Sequence, residues 1–427
     1  MRFNEGVYAV AAGIGCAVLM FGSVSAQEYD RGRNVSVLER ERKDYDALGV
    51  HVGSFSVFPK LDARLVYSSN VFADETNEQS DQYLAFNPNV EARSNWSRHQ
   101  LQADVGLRLR RYADNTGEDQ DGWYARTTGR LDIFGSSYAT AMVEAERLYE
   151  ERGSSDFPGG AAEPLPIDAV GFNLRGVGQF SRMRLSVGGA YRELDFDNVP
   201  LVFNPTFPLL TILDTSGRDR EITTLDTKAE WAVSPDTAVF GQVQYIQTNY
   251  RRDAAPFQNR DSEETGVTVG ANFDLSALIR GEIGAGYLRR SYDDPAFGDV
   301  SGLSFQGVVE YFPTQMTTLT LNVRRSVEDS VLVGTSGYFL TGAGLRVDHE
   351  FRRNILLNAV VDYEDQSFDS IDRSDQITSF SAGGTYLLNR TVGLNANIGY
   401  VNHDSSGLAR YRSFDETRAS IGIILQR

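Results

Sequence analysis

Strict alternation of apolar and polar residues, repeated in segment after segment along the chain, is the feature that most limits how this sequence can fold. A period of two puts successive side chains on opposite faces of an extended strand. In 101–110, Leu101, Ala103, Val105, Leu107 and Leu109 alternate with Gln102, Asp104, Gly106, Arg108 and Arg110. Near the end, Val392, Leu394, Ala396, Ile398 and Tyr400 alternate with Thr391, Gly393, Asn395, Asn397 and Gly399. Each such strand has one apolar face and one face of polar residues or glycine, and no sustained helical period appears among them.

The spacing predicts about 18 strands (16–18) of roughly ten residues each. Their connections alternate in length. Tight links such as Ser97-Arg98, Ser181-Arg182, Ser234-Pro235-Asp236 and Asn389-Arg390 follow every second strand, and longer polar loops follow the others, for instance 68–81, 150–168, 193–220 and 402–414. An even strand count with short turns on one side and long loops on the other predicts an all-β, antiparallel up-and-down transmembrane barrel over 54–427, with periplasmic turns and extracellular loops. A soluble sandwich has no need of that asymmetry.

Aromatic placement points the same way, because a lipid-facing band is flanked by an aromatic girdle at each interface. Tyr67, Tyr149, Tyr191, Tyr245, Tyr287, Tyr363 and Tyr400 lie in the apolar phase at the long-loop ends of strands. Trp96, Phe180, Trp231, Phe273, Tyr311, Phe351 and Tyr386 lie in the same phase at the short-turn ends. Charges in the apolar phase are few, and Arg147, Glu193 and Arg325 all fall near loop ends.

Composition excludes other classes. With 41 Lys+Arg against 58 Asp+Glu, the chain has a net charge of −17, so no nucleic-acid partner is expected. A mean hydropathy of −0.33 and one long apolar run exclude a polytopic helical membrane protein but not a barrel, whose strands average out as polar. That run ends Val24-Ser25-Ala26, so 1–26 is expected to be a cleaved secretory signal directing the chain to the outer membrane of a Gram-negative bacterium. The one cysteine, Cys16, falls inside it, and the four histidines are scattered singly. No metal, cofactor or catalytic residue is therefore expected, and there is no GxSxG nucleophile motif. Residues 27–53 are polar and charged and are expected to form a periplasmic tail, either a solvated linker or a contact for a partner.

A barrel of this size is too wide for its own side chains to fill, so a water-filled lumen is expected. Its inward phase is mixed in charge and rich in arginine. Arg64, Arg108, Arg110, Arg126, Arg130, Arg175, Arg184, Arg280, Arg324 and Arg346 are the candidates to line it and to guide polar or anionic solutes. Loop 193–220 is unusually apolar, and Val202, Phe203, Phe207, Leu209 and Leu210 are candidates for a constriction folded into the lumen.

At its first hairpins the sequence resembles the putative β-barrel porin 2 family. The residues carrying the resemblance are Gly49-Val50-His51-Val52-Gly53-Ser54-Phe55, Pro59, Ser69-Asn70-Val71-Phe72-Ala73, Asp81, Pro88, Asn95-Trp96-Ser97-Arg98-His99 and Gly129-Arg130-Leu131-Asp132. That resemblance implies an outer-membrane barrel linked to exopolysaccharide synthesis and export, working with periplasmic export components. The barrel pattern alone equally suits a stand-alone porin for small polar or anionic solutes, and a structural or adhesive barrel is a third possibility. Outer-membrane lipid and lipopolysaccharide are expected around any of them.

Overall fold

A computed structural model describes residues 35–202, 211–251, 258–275, 278–332 and 334–427. The expected signal, residues 27–34, and Phe203, Phe207, Leu209 and Leu210 lie outside them. Two-faced strands close on one another and leave no free edge, as a membrane requires. The barrel strands are β2 (Phe55–Ser68), β3 (Asp81–Ser94), β4 (Gln100–Tyr112), β5 (Gln120–Phe134), β6 (Ser137–Glu150), β7 (Leu165–Phe180), β8 (Met183–Phe196), β11 (Arg220–Ser234) and β12 (Thr237–Tyr250). They continue as β13 (Ser262–Leu275), β14 (Ile279–Tyr292), β15 (Val300–Thr314), β16 (Thr317–Asp329), β17 (Gly337–Arg352), β18 (Ile355–Phe368), β19 (Ser374–Leu387), β20 (Val392–Ser406) and β21 (Phe414–Gln426). Each pairs antiparallel with the next, and β21 pairs with β2 from Lys60↔Gln426 to Ser68↔Arg418, closing an 18-stranded barrel.

Three short strands were not anticipated. β1 (Val50–Val52) folds back on the start of β2 through Gly53, whose φ of +60° suits a residue without Cβ. β9 (Val199–Pro200) and β10 (Ile212–Leu213) pair with each other in the β8–β11 loop.

The two faces separate as the alternation requires. Leu65, Val105, Leu107, Val143, Val187, Val243, Val267, Ile283, Val361 and Ile398 are exposed on the outside, where lipid would cover them. All fourteen girdle aromatics share that outward phase, and Trp96 packs edge-on against Phe55 with ring centroids 5.8 Å apart. The charged exceptions are paired near the long-loop rim: Arg147 bonds Asp168 at 2.7 Å and Asp197 at 2.9 Å, and Glu193 pairs with Arg251. Arg325 donates to the Leu303 carbonyl and stacks over Phe339. Inside, Gly106 makes room for an aromatic ring, since a Cβ there would lie 2.6 Å from Tyr124.

Candidate functional site

The strand phase places all ten candidate arginines on the inner wall, and each is held by a carboxylate. Arg64 bonds Asp62 at 2.7 Å, Arg126 bonds Glu144 at 3.0 Å, Arg130 bonds Asp132 at 2.8 Å and Arg346 bonds Asp348 at 2.7 Å. Arg175 reaches Asp226 at 2.8 Å and Arg324 reaches Glu364 at 2.7 Å. Arg108 lies 3.4 Å from Glu146, Arg110 2.9 Å from Glu151, Arg184 3.6 Å from Glu230, and Arg280 3.0 Å from Glu39 while also touching Glu310. The charge pattern visible in the sequence is therefore a lattice of compensated pairs. Some lie within one strand, as at Arg64, Arg130 and Arg346, others tie different strands together, and all offer little free positive charge to a solute.

The wall is not uniform around its circumference. From β2 to β11 the inner face carries most of these arginine–carboxylate pairs, and those of Arg280, Arg324 and Arg346 lie on the remaining arc. From β13 to β20 it is broken by glycine, amides and hydroxyls, including Gly266, Thr268, Gly270, Gly284, Gly286, Gly344, Ser379, Ser381, Gly383, Asn395 and Asn397.

At the long-loop mouth the lumen is crossed by loop 151–164, between β6 and β7. Its Ser155 Oγ donates to Gln366 Oε1 at 2.6 Å, and its Ser155 carbonyl accepts from Arg373 at 3.0 Å. Ser330 Oγ donates to Asp156 at 2.8 Å, and the Arg152 carbonyl accepts from Arg412 at 2.7 Å. Closing at β2 and β21 puts β6 and β18 on nearly opposite sides, so these bonds tie the loop to the far wall. At its near end, Glu151 lies between Arg110 and Arg418, and Arg152 pairs with Glu118. Ser154, Ser155 and Phe157 are almost completely buried. Burial pushes the Asp156 carboxyl up to about 6, with Glu150 adding to the rise and Arg218 and Arg373 opposing it. Burial acts the same way on Glu151, but Arg110 and Arg418 outweigh it and hold that carboxyl below its ordinary value.

This strap is not the loop that the apolar sequence singled out. Within the described part of 199–213, Val199 packs with Phe157, Leu165, Ile167, Leu194, Phe196 and Ile222 in a buried cluster on one wall. Leu201 bridges to Ala161, and Val202 is half exposed. The described ends of that loop thus lean on the strap and on their own side of the mouth, while Phe203, Phe207, Leu209 and Leu210 lie outside the described residues. The physical reason for the polar strap is solvation: a segment crossing a wet lumen needs polar groups to bond the other side. Ser154-Ser155-Asp156, with a Gly159-Gly160 pair close behind, was the signal available in the sequence.

The short-turn mouth is lined by residues 35–48. Instead of extending into solvent, this segment follows the inner rim. The Val37 amide donates to Thr318, Glu39 meets Arg280, the Lys43 carbonyl accepts from Arg390, and the Tyr45 carbonyl accepts from Gln426. Arg40 and Arg42 both lie 3.3 Å from Glu350, and the Arg42 side chain is fully buried. Burial lowers the pKa of that guanidinium, and Glu350 and Asp46 oppose the shift. The segment's charges find partners on the barrel rim, which a sequence pattern alone does not show.

Among the described residues no group of three or more His, Asp or Glu is arranged to hold a metal. Among solved structures the chain is similar to a BenF-like porin from Pseudomonas fluorescens Pf-5, with 12% identity, a TM-score of 0.47, and coverage of 87% of this chain and 99% of that one. It is also similar to OccK2 (OpdF) of Pseudomonas aeruginosa, solved in complex with glucuronate, with 11% identity, a TM-score of 0.47, and coverage of 87% and 98%. A third similar structure is the copper transporter OprC, with 11% identity, a TM-score of 0.46, and coverage of 91% and 82%. No curated protein matches the sequence. The model of the family described as Putative beta-barrel porin 2 matches residues 43–427, well beyond the first hairpins that carry the resemblance, and the chain belongs to that family of outer-membrane barrels.

Proposed function

We propose that this porin-like outer-membrane barrel is a diffusion channel for small polar solutes, narrowed at its outer mouth by the 151–164 strap. The observation that carries this reading is a polar inner wall running the height of the barrel, continuous from strand to strand and opposed to an apolar outer wall. The strap narrows the lumen with polar side chains, which small hydrated solutes tolerate.

The test is conductance of the purified protein in a planar bilayer, paired with swelling of liposomes in neutral sugars of increasing size. Discrete current steps and a size cut-off are expected. A folded barrel that passes neither ions nor sugars would sink the channel reading.

A role in exopolysaccharide secretion is the second reading. It is favoured by family membership and by the amide and hydroxyl wall between β13 and β20, whose donors and acceptors suit a polyhydroxylated chain. Deleting the gene and measuring cell-surface polysaccharide separates the two, since unchanged amounts would count against secretion.

A further inference from the structure

We propose that the lumen prefers cations and that Asp104 and Asp362 set the preference; this rests on the channel reading above. The arginine-rich inner phase suggests the opposite until the partners are counted. Among the described residues every arginine of that phase has a carboxylate within salt-bridge reach, so the arginines add little net positive field to the pathway.

Carboxylates are not matched in the same way. Asp104 on β4 accepts only long hydrogen bonds, 3.4 Å from Asn89 and 3.4 Å from the Tyr124 hydroxyl. Two cations act on it without a salt bridge: Lys60 on β2 through space, and Arg126, which is turned to Glu144. Asp362 on β18 stands in register between Gly344 and Ser379. The arginines nearest to it are engaged elsewhere, Arg324 by Glu364 and Arg346 by Asp348. Among the described residues, neither aspartate has a Lys or Arg within 4.0 Å.

Both side chains are only part-buried, in the interior of their strands and on the lumen phase. Two carboxylates without a salt-bridge partner, between low-dielectric walls, concentrate cations and repel anions over a Debye length of about 8 Å at physiological salt. The acidic excess of the chain, at −17, adds the same sign from the loops.

Reversal potentials of single channels in a potassium chloride gradient test this. The wild-type barrel is expected to favour potassium. Asp104→Asn combined with Asp362→Asn is expected to lower the cation-to-anion permeability ratio by about twofold or more. Removing a compensated pair, with Arg175→Gln and Asp226→Asn together, is expected to leave the ratio at its wild-type value. Heat-modifiable mobility on a gel checks that each variant is a folded barrel.

An anion-selective or unselective wild type overturns the inference while leaving the channel reading intact. A double aspartate variant with the wild-type ratio overturns the assignment to these residues, as does an equal shift in the pair-removed variant. A folded wild-type barrel that carries no current overturns the channel reading, and this inference with it.

Discussion

The two mouths of the barrel are obstructed in different ways. At the long-loop mouth the 151–164 strap spans from wall to wall and is anchored by buried polar groups at both ends. At the short-turn mouth residues 35–48 hug one arc of the rim, from the Arg390 turn and β21 round to β14, rather than crossing to the other side. A segment that crosses controls the narrowest section of a pathway, whereas one that lines an arc only reshapes it. Moving the first should therefore change permeation far more than moving the second.

Replacing 153–160 by a short glycine linker is the strongest way to break that contrast. Single-channel conductance is expected to rise by about threefold or more, while removal of 35–48 gives a much smaller change. Equal increases would show that the rim segment obstructs as much as the strap.

Next in size is Arg373→Ala. Arg373 and Asp375 are both buried, 3.0 Å apart, and the same arginine holds the strap through the Ser155 carbonyl. Leaving that carboxylate buried and without its guanidinium costs about 3–5 kcal/mol, to be read as a lower unfolding midpoint in urea.

A smaller, pH-dependent effect is expected from Asp156. Docking the strap lifts its pKa from 3.8 to about 6, so the docked state favours the protonated form. The docking penalty is absent below about pH 4, grows between about 4 and 6, and is complete above about 6. Acidification from neutral to about pH 5 is therefore expected to tighten the strap and reduce the open fraction of single channels. Asp156→Asn should abolish that response; persistence of the full response would place the titrating group elsewhere.

The least effect is expected at the other mouth. Arg42→Ala leaves Glu350 with Arg40, so the loss should be about 1 kcal/mol and local, seen as faster proteolysis within 35–48 with the barrel's unfolding midpoint unchanged. A drop in that midpoint would mean that the rim segment helps hold the barrel itself.

The barrel was legible because its physics is local. Lipid outside and water inside impose a period of two, and turns and loops interrupt it at intervals, so strands such as 100–112 and 392–406 and the phase of their side chains follow from residue type. The outward phase of Tyr67 and Trp231 follows for the same reason. The ends were less legible. Strands run a few residues past the alternation where loop ends continue the ladder, and β1, β9 and β10 depend on turns that carry no apolar signature.

The site was legible only by residue class. Alternation assigned Arg126 and Arg324 to the lumen face, but their neutralisation by Glu144 and Glu364 depends on strand register, which pairs residues from different strands. The strap escaped notice because its anchors, Gln366, Ser330, Arg373 and Arg412, come from parts of the chain more than 170 residues away.

By itself the sequence determined a two-faced, closed, antiparallel barrel, which end carries the long loops, and the polarity of each wall. Those properties are set residue by residue, through the choice between lipid and water. Only the tertiary structure decided that the 151–164 loop crosses the lumen, which charges pair, and that Asp104 and Asp362 stand without a salt-bridge partner among the described residues. Those outcomes depend on distances of a few ångströms between remote segments, and Coulomb and hydrogen-bond energies are decided at that range.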